Sequence, residues 1–323
     1  MRTASVGRHP PATKDHRRTD LRLQTEYFGP SDPPLERQEP GAKSQEPRAK
    51  SQRRVAQDDP VLASCYFPPV LIVLAAVYGL ATGSFLNVII YRVPAGRSVV
   101  RPRSACPHCG SQITAMDNIP LLSWILLRGR CRRCHAPISI RYPVVELATA
   151  GLFAATTAIL GVDPMLPAHL WFVALTFVLA IVDLDTKRLP NRILYPGTVV
   201  ALVLLIGGTV FEGNWHDLGR GALGGLAYFT GLYALAVVAR GGFGFGDVKL
   251  AFLLGLFVTR VSWGALGVAV VGAFFLGGMV GVALLATRRA GRKTAIPFGP
   301  AMVLAAWLAI AIGQRVVEWY LEF

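Results

Sequence analysis

Asp183 closes an apolar run in LAIVDLDTKRLPNRI (179–193), and Asp247 follows alternating glycines in GFGFGDVKL (242–250) and opens another. An ionisable side chain at membrane depth is costly and faces a bundle interior or a wet cavity, which makes each aspartate a candidate functional residue. Two carboxylates brought into one pocket do not ionise together. They share a proton and can hold a water between them as joint acid and base, which is the machinery of an aspartic protease. The apolar part of the chain has no HExxH motif, and His169 and His216 fall near the opposite face, so neither metal nor serine–histidine hydrolysis is indicated. Gly244 and Gly246 flank the approach to Asp247, and a backbone without Cβ lets an extended peptide come close. A phosphate cradle is a poor reading of the same glycines, since no strand precedes them and no Gly-Lys-Ser/Thr follows. The structural alternatives are that Asp247 caps its helix and that Asp183 pairs with Lys187 one turn on. Asp185 competes with Asp183: two residues apart on a helix they point roughly 200° from each other, and periodicity does not choose between them.

The second constellation is CPHCG (106–110) with CRRCH (131–135), giving CxxC-x21-CxxC through Cys106, Cys109, Cys131 and Cys134. Each CxxC turn puts two thiolates on one edge of a tetrahedron, and two turns complete it, which is the spacing of a closed structural zinc site. The CRRCH segment also fits a haem-attachment pattern, and His108 or His135 could replace a cysteine, but haem would leave the other CxxC unexplained.

The elements that must position these residues are membrane helices. The 323 residues are 53% hydrophobic and only 16% charged, where a soluble domain carries about a quarter. Apolar runs of spanning length fall at 67–91, 143–161, 167–184, 193–211, 220–239, 247–260, 263–287 and 296–314. The sixth is short, and tilting, re-entry or burial within the bundle are all open to it. The net charge of +14 is concentrated in connections on one side, seventeen basic residues against three. That is the signature of a cytoplasmic face and of contact with lipid headgroups, and it tells against nucleic acid as a partner. The fold class expected is therefore an all-α polytopic membrane protein with about eight transmembrane helices and a cytoplasmic zinc-ribbon-like loop between helices 1 and 2.

The same pattern sets the domain organisation. Residues 1–65 read as a polar, disordered tail with no signal-peptide pattern, and the apolar body of the chain needs nothing in it, as if the start site were placed too early. Helix 1 occupies 66–91, the four-cysteine loop 92–142, a seven-helix membrane core with the aspartate pair 143–317, and a short tail 318–323.

The segments TGSFLNVIIYRVP (82–94), NIPLLSWILLRGRCRRC (118–134), ISIRYPVVELAT (138–149), DLDTKRLPN (183–191), GFGFGDVKL and PFGPAM (297–302), in this order with the CxxC pairs, resemble the type IV prepilin leader peptidases, the GxGD membrane aspartic proteases. The resemblance covers about 66–317. It implies cleavage of the basic leader of prepilins and pseudopilins at the cytoplasmic face of the bacterial inner membrane. It implies, for the four-cysteine branch, subsequent N-methylation of the new terminus with S-adenosylmethionine. The family's first aspartate lies seven residues before the Pro of its motif, which by resemblance is Asp183 rather than Asp185, and its second is Asp247. Asn191 stands where many bifunctional members have Asp. For the methyl-transfer residues the resemblance points only to the GSFLN stretch and the basic loop. Two other functions compete on residue chemistry alone: a non-enzymatic zinc-loop assembly factor, and a transporter using the two aspartates as proton carriers, although a proton path places acids near the bilayer midplane.

Overall fold

The computed structural model describes residues 69–239, 244–287 and 297–322; the tail assigned to 1–65, Gly242 and Phe243 of the glycine motif, and the basic segment 288–296 lie outside them. Nine α-helices run in chain order among the described residues: α1 (Pro69–Arg92), the short α2 (Leu122–Leu126), α3 (Arg141–Leu160), α4 (Leu166–Thr186), α5 (Asn191–Glu212), α6 (Trp215–Val238), α7 (Phe245–Val261), α8 (Trp263–Ala286) and α9 (Gly299–Leu321). Among the described residues no strand accompanies them; the loop between α1 and α3 carries two isolated antiparallel bridges, Ala105 with Gln112 and Arg130 with Pro137.

Seven of these helices are long and apolar enough to cross a membrane. Large apolar side chains such as Val73 and Val77 on α1, Val199 and Val203 on α5, and Val271 and Phe275 on α8 face outward, as lipid-facing residues must. The sixth of the eight expected spans is the one outside these seven. The sixth span is a 17-residue helix, about 25 Å long by helix geometry against a hydrocarbon core of about 30 Å. It needs no lipid-facing length because α5, α6, α8 and α9 pack round it and Phe172 of α4 stacks on its Phe257, and Leu250, Leu253, Leu254, Leu256 and Phe257 are fully buried. The chain is thus a multi-pass membrane protein built round a sheathed central helix.

Helices meet closely where glycines permit it. A Cβ on Gly79 of α1 would lie 2.7 Å from the Cα of Ala150, and one on Gly83 2.7 Å from the Cα of Glu146, so the spacing Gly-x-x-x-Gly brings α1 onto α3 backbone to backbone. On the other side of the bundle α6 and α7 pack the same way: a Cβ on Gly255 would sit 2.6 Å from the carbonyl oxygen of Gly224. Ser262 reverses the chain between α7 and α8, its Oγ accepting the N–H of Ala265 at 3.0 Å. The last helix runs to Leu321, beyond the expected end near 314. Gln314, Arg315 and Glu318 are exposed there, with Gln314 donating to Glu318 at 2.9 Å, so the final turns continue as a polar-sided helix.

Candidate active site

Asp183 lies in the last turn of α4, where the negative end of the helix dipole disfavours a carboxylate. Its backbone carbonyl accepts the N–H of Lys187 at 2.7 Å, and Lys187 in the left-handed conformation, φ 52°, ends the helix. The side chain is buried and points at the start of α9, where the N–H of Gly299 donates to Oδ2 at 3.2 Å. That N–H is one of the donors a helix start leaves without an intrahelical partner, and its positive end offsets the unfavourable end of α4. A Cβ on Gly299 would lie 2.8 Å from the same oxygen, so only glycine lets the backbone come this near. Two positions along, Asp185 turns outward and pairs with Arg141 on α3, both about 40% exposed. The rotation that periodicity left open is thereby fixed: Asp183 faces inward and Asp185 does not.

Asp247 occupies the first turn of α7 and is also buried. It does not cap that helix. Gly244 holds the cap position with no side-chain bond, and the Asp247 N–H donates to the Gly244 carbonyl at 3.0 Å. Both carboxyl groups lie at the same end of the bundle, Asp183 in the last turn of α4 and Asp247 in the first turn of α7. What brings the two helix ends together is the connection between α4 and α5. A Cβ on Gly246 would meet the Cβ of Leu189 at 3.0 Å, so Gly246 lets the first turn of α7 close on that connection. One turn on, Lys249 donates to Asn191 Oδ1 at 3.1 Å and lies over the rings of Tyr195 and Phe245. Gly246 therefore has a packing task that its reading as a substrate-approach residue did not include; Gly244, exposed, is the glycine beside the carboxylate, 3.3 Å from Oδ2 to a notional Cβ.

The four cysteines converge in the loop. Their sulfurs all lie within 4.8 Å of one another, and Cys106 and Cys134 are 3.8 Å apart, the edge of a tetrahedron with metal–sulfur bonds of about 2.3 Å. Both CxxC turns are built alike. Cys106 N–H donates to Ser111 and Gly110 N–H to Cys106; Cys131 N–H donates to Ala136 and His135 N–H to Cys131. Gly110 and His135 take the same left-handed position, φ 69° and 55°, so His135 is a turn residue and neither it nor His108 joins the sulfur cluster. Hydrogen bonding by Ser111 holds the Cys109 thiol down at about 6 and the backbone amides of Cys134 and Arg133 lower that of Cys131, whereas Cys134, crowded by the other three sulfurs, is pushed up to about 11. Thiolates are the metal-ligating form, and the donor set fits one tetrahedral ion.

A third polar feature escaped sequence reasoning. Between α1, α3 and the loop is a cavity of about 250 Å³ whose wall includes Ser84, Asn87, Asn118, Tyr142 and Glu146. Glu146 Oε2 accepts the N–H of Leu121 at 2.7 Å, holding Leu121 at φ 58°, ψ −50°, a conformation uncommon for a branched side chain. The signal was present in the sequence, a single acid inside the apolar stretch YPVVELAT. Gly299 also went unassigned, although PFGPAM was visible, because its contribution is a backbone amide.

Comparison with known proteins gives a consistent result. The profile described as Bacterial Peptidase A24 N-terminal domain matches residues 77–160, and that of the Type IV leader peptidase family matches 170–282. A protein of Aeromonas hydrophila named prepilin leader peptidase/N-methyltransferase is 35% identical over 279 residues, covering 77% of this chain and 93% of the relative. Proteins of the same name from Myxococcus xanthus (strain DK1622) and Bacillus subtilis (strain 168) are 43% and 33% identical, covering 71% and 76% of this chain and 68% and 96% of theirs. No solved structure matches the chain.

Proposed function

The chain belongs to the type IV leader peptidase family, and from that premise we propose that it removes the basic leader of prepilin-like substrates and then N-methylates the terminus so exposed. The observation that carries the peptidase reading is the pair Asp183 and Asp247, both buried, one in the last turn of α4 and the other in the first turn of α7, which closes on the connection that follows α4. Held between them, a water gives a proton to one carboxylate as its oxygen attacks the scissile carbonyl carbon. The other carboxyl gives its proton to the carbonyl oxygen. As the tetrahedral intermediate collapses, one of its hydroxyls returns a proton to the ionised carboxylate, the C–N bond breaks, and the leaving nitrogen takes the proton held by the other carboxyl. The Gly299 amide keeps Asp183 aimed at the shared space.

The basic residues Arg92, Arg141, Lys187, Arg188 and Arg192 lie at the ends of α1, α3, α4 and α5 that this site shares. Their concentration supports a cytoplasmic-facing site in the bacterial inner membrane. Zinc is the ion assigned to Cys106, Cys109, Cys131 and Cys134; with four thiolates it is coordinatively closed and organises the loop. S-adenosylmethionine is the methyl donor assigned to the second activity.

The test is co-expression with a prepilin and a gel-shift readout of leader removal. Wild type converts the precursor, while Asp183→Asn and Asp247→Asn, each still inserted in the membrane, leave it uncut. Normal processing by either variant would refute the aspartate mechanism.

A further inference from the structure

Threonines aside, the buried polar side chains among the described residues are Asp183, Asp247, Asn87, Ser123 and Glu146. The first two belong to the proposed peptidase site. The other three all line the one cavity beneath the four-cysteine loop. Burying a carboxylate without a paired cation costs several kcal/mol, and among the described residues no cation is bonded to Glu146: its contacts are the Leu121 N–H and neighbouring Ser84. Arg92, the basic residue on the cavity wall, donates instead to the carbonyl of Ser98 at 3.1 Å. Asn87 Nδ2 donates to the Tyr142 carbonyl at 3.1 Å and Ser123 Oγ to that of Met116 at 2.9 Å, so the walls are fixed by their own bonds. The cavity opens at the same end of the bundle as the aspartates. Glu146 lies a little over one turn from Arg141, and Arg141 is ion-paired to Asp185 beside Asp183.

Resting on the reading of the chain as a peptidase that also methylates, we infer that this cavity is the methyl-transfer site and that Glu146 is its base. Both reactants suit an unpaired carboxylate, since a peptide's α-ammonium and a sulfonium methyl donor are each cationic. The α-ammonium gives one proton to Glu146. The nitrogen lone pair then forms a bond to the donor's methyl carbon as the carbon–sulfur bond breaks, its electron pair returning to sulfur. The products are a protonated monomethylamine and a neutral thioether. Asn87 and Ser84 border the amine's side of the pocket, and exposed Asn118 stands on its loop wall.

The experiment uses the full chain in lipid nanodiscs, with leader removal read by gel shift, methylation of a synthetic pre-cleaved peptide by mass spectrometry, and binding of S-adenosylhomocysteine by calorimetry. Glu146→Gln is expected to remove the leader at no less than half the wild-type rate and to bind S-adenosylhomocysteine within about threefold of wild type. Its methylation rate should fall about a hundredfold, the scale of a lost general base. Asn118→Trp, on the loop wall, should weaken S-adenosylhomocysteine binding and methylation at least tenfold and spare cleavage. Full methylation by Glu146→Gln, loss of both activities together in that variant, or wild-type binding and methylation by Asn118→Trp would each overturn the assignment. A wild-type chain that cleaves without methylating overturns the second activity and this site with it; one that does neither overturns the peptidase reading as well.

Discussion

The aspartate end of the bundle and the Glu146 cavity both place carboxylates where lipid-facing helices would not tolerate them, yet they are held by opposite means. Asp183 and Asp247 are positioned by helix ends and the short α4–α5 connection: the start of α9 on one, the first turn of α7 locked to Leu189 and Asn191 on the other. Glu146 is also on a helix, but the roof of its cavity is loop. Leu121, whose N–H it binds, leads into α2; Trp124 of α2 accepts the N–H of Gly129 and donates its indole N–H to Ile138, on either side of the second CxxC turn. The difference teaches that one site inherits the rigidity of the bundle and the other that of the sulfur cluster, so they should fail separately.

The sharpest break is at the aspartates. Asp247→Asn should lower leader removal by a thousandfold or more, on the order expected when a general acid–base pair is lost, while a pre-cleaved peptide is methylated at the wild-type rate. Methylation falling in parallel would mean the two sites are one. Next comes Gly299→Ala, whose Cβ would crowd Asp183 Oδ2; kcat/KM for cleavage should drop about thirtyfold, some 2 kcal/mol in transition-state terms, with methylation unmoved. Metal removal works in the other direction. A Cys106→Ser/Cys131→Ser variant should lack the one equivalent of zinc proposed for the loop, measured by elemental analysis against wild type, and methylate about tenfold more slowly, whereas cleavage should change by less than threefold. Equal losses would show that the loop also serves the peptidase. The smallest effect is expected at Asp185→Asn, which breaks only a half-exposed ion pair with Arg141; both activities should stay within about twofold.

What could be read in advance was whatever announces itself by residue type. Two acids in apolar runs and four cysteines at ribbon spacing were legible, as were the helices, because each rests on composition or period. Asp183 and Asp185 were separable only by resemblance, since their difference is a rotation about α4 that depends on what α9 and α3 present to it. Gly299 acts through a main-chain N–H, which no side-chain alphabet records. Glu146 was passed over because its meaning comes from Leu121, 25 residues away along the chain. The brevity of the sixth span was visible, but its cause was not. Only the surrounding helices show why a segment of 17 residues suffices.

That sheathed helix has a consequence for how the protein is made. A segment short of the usual spanning length is weakly recognised by the insertion machinery on its own. The glycine seam along Gly224, Gly225 and Gly255 offers it a ready companion in α6. The two would then enter the bilayer as a hairpin, so that biogenesis delivers Asp247 to its depth only once its escort has arrived.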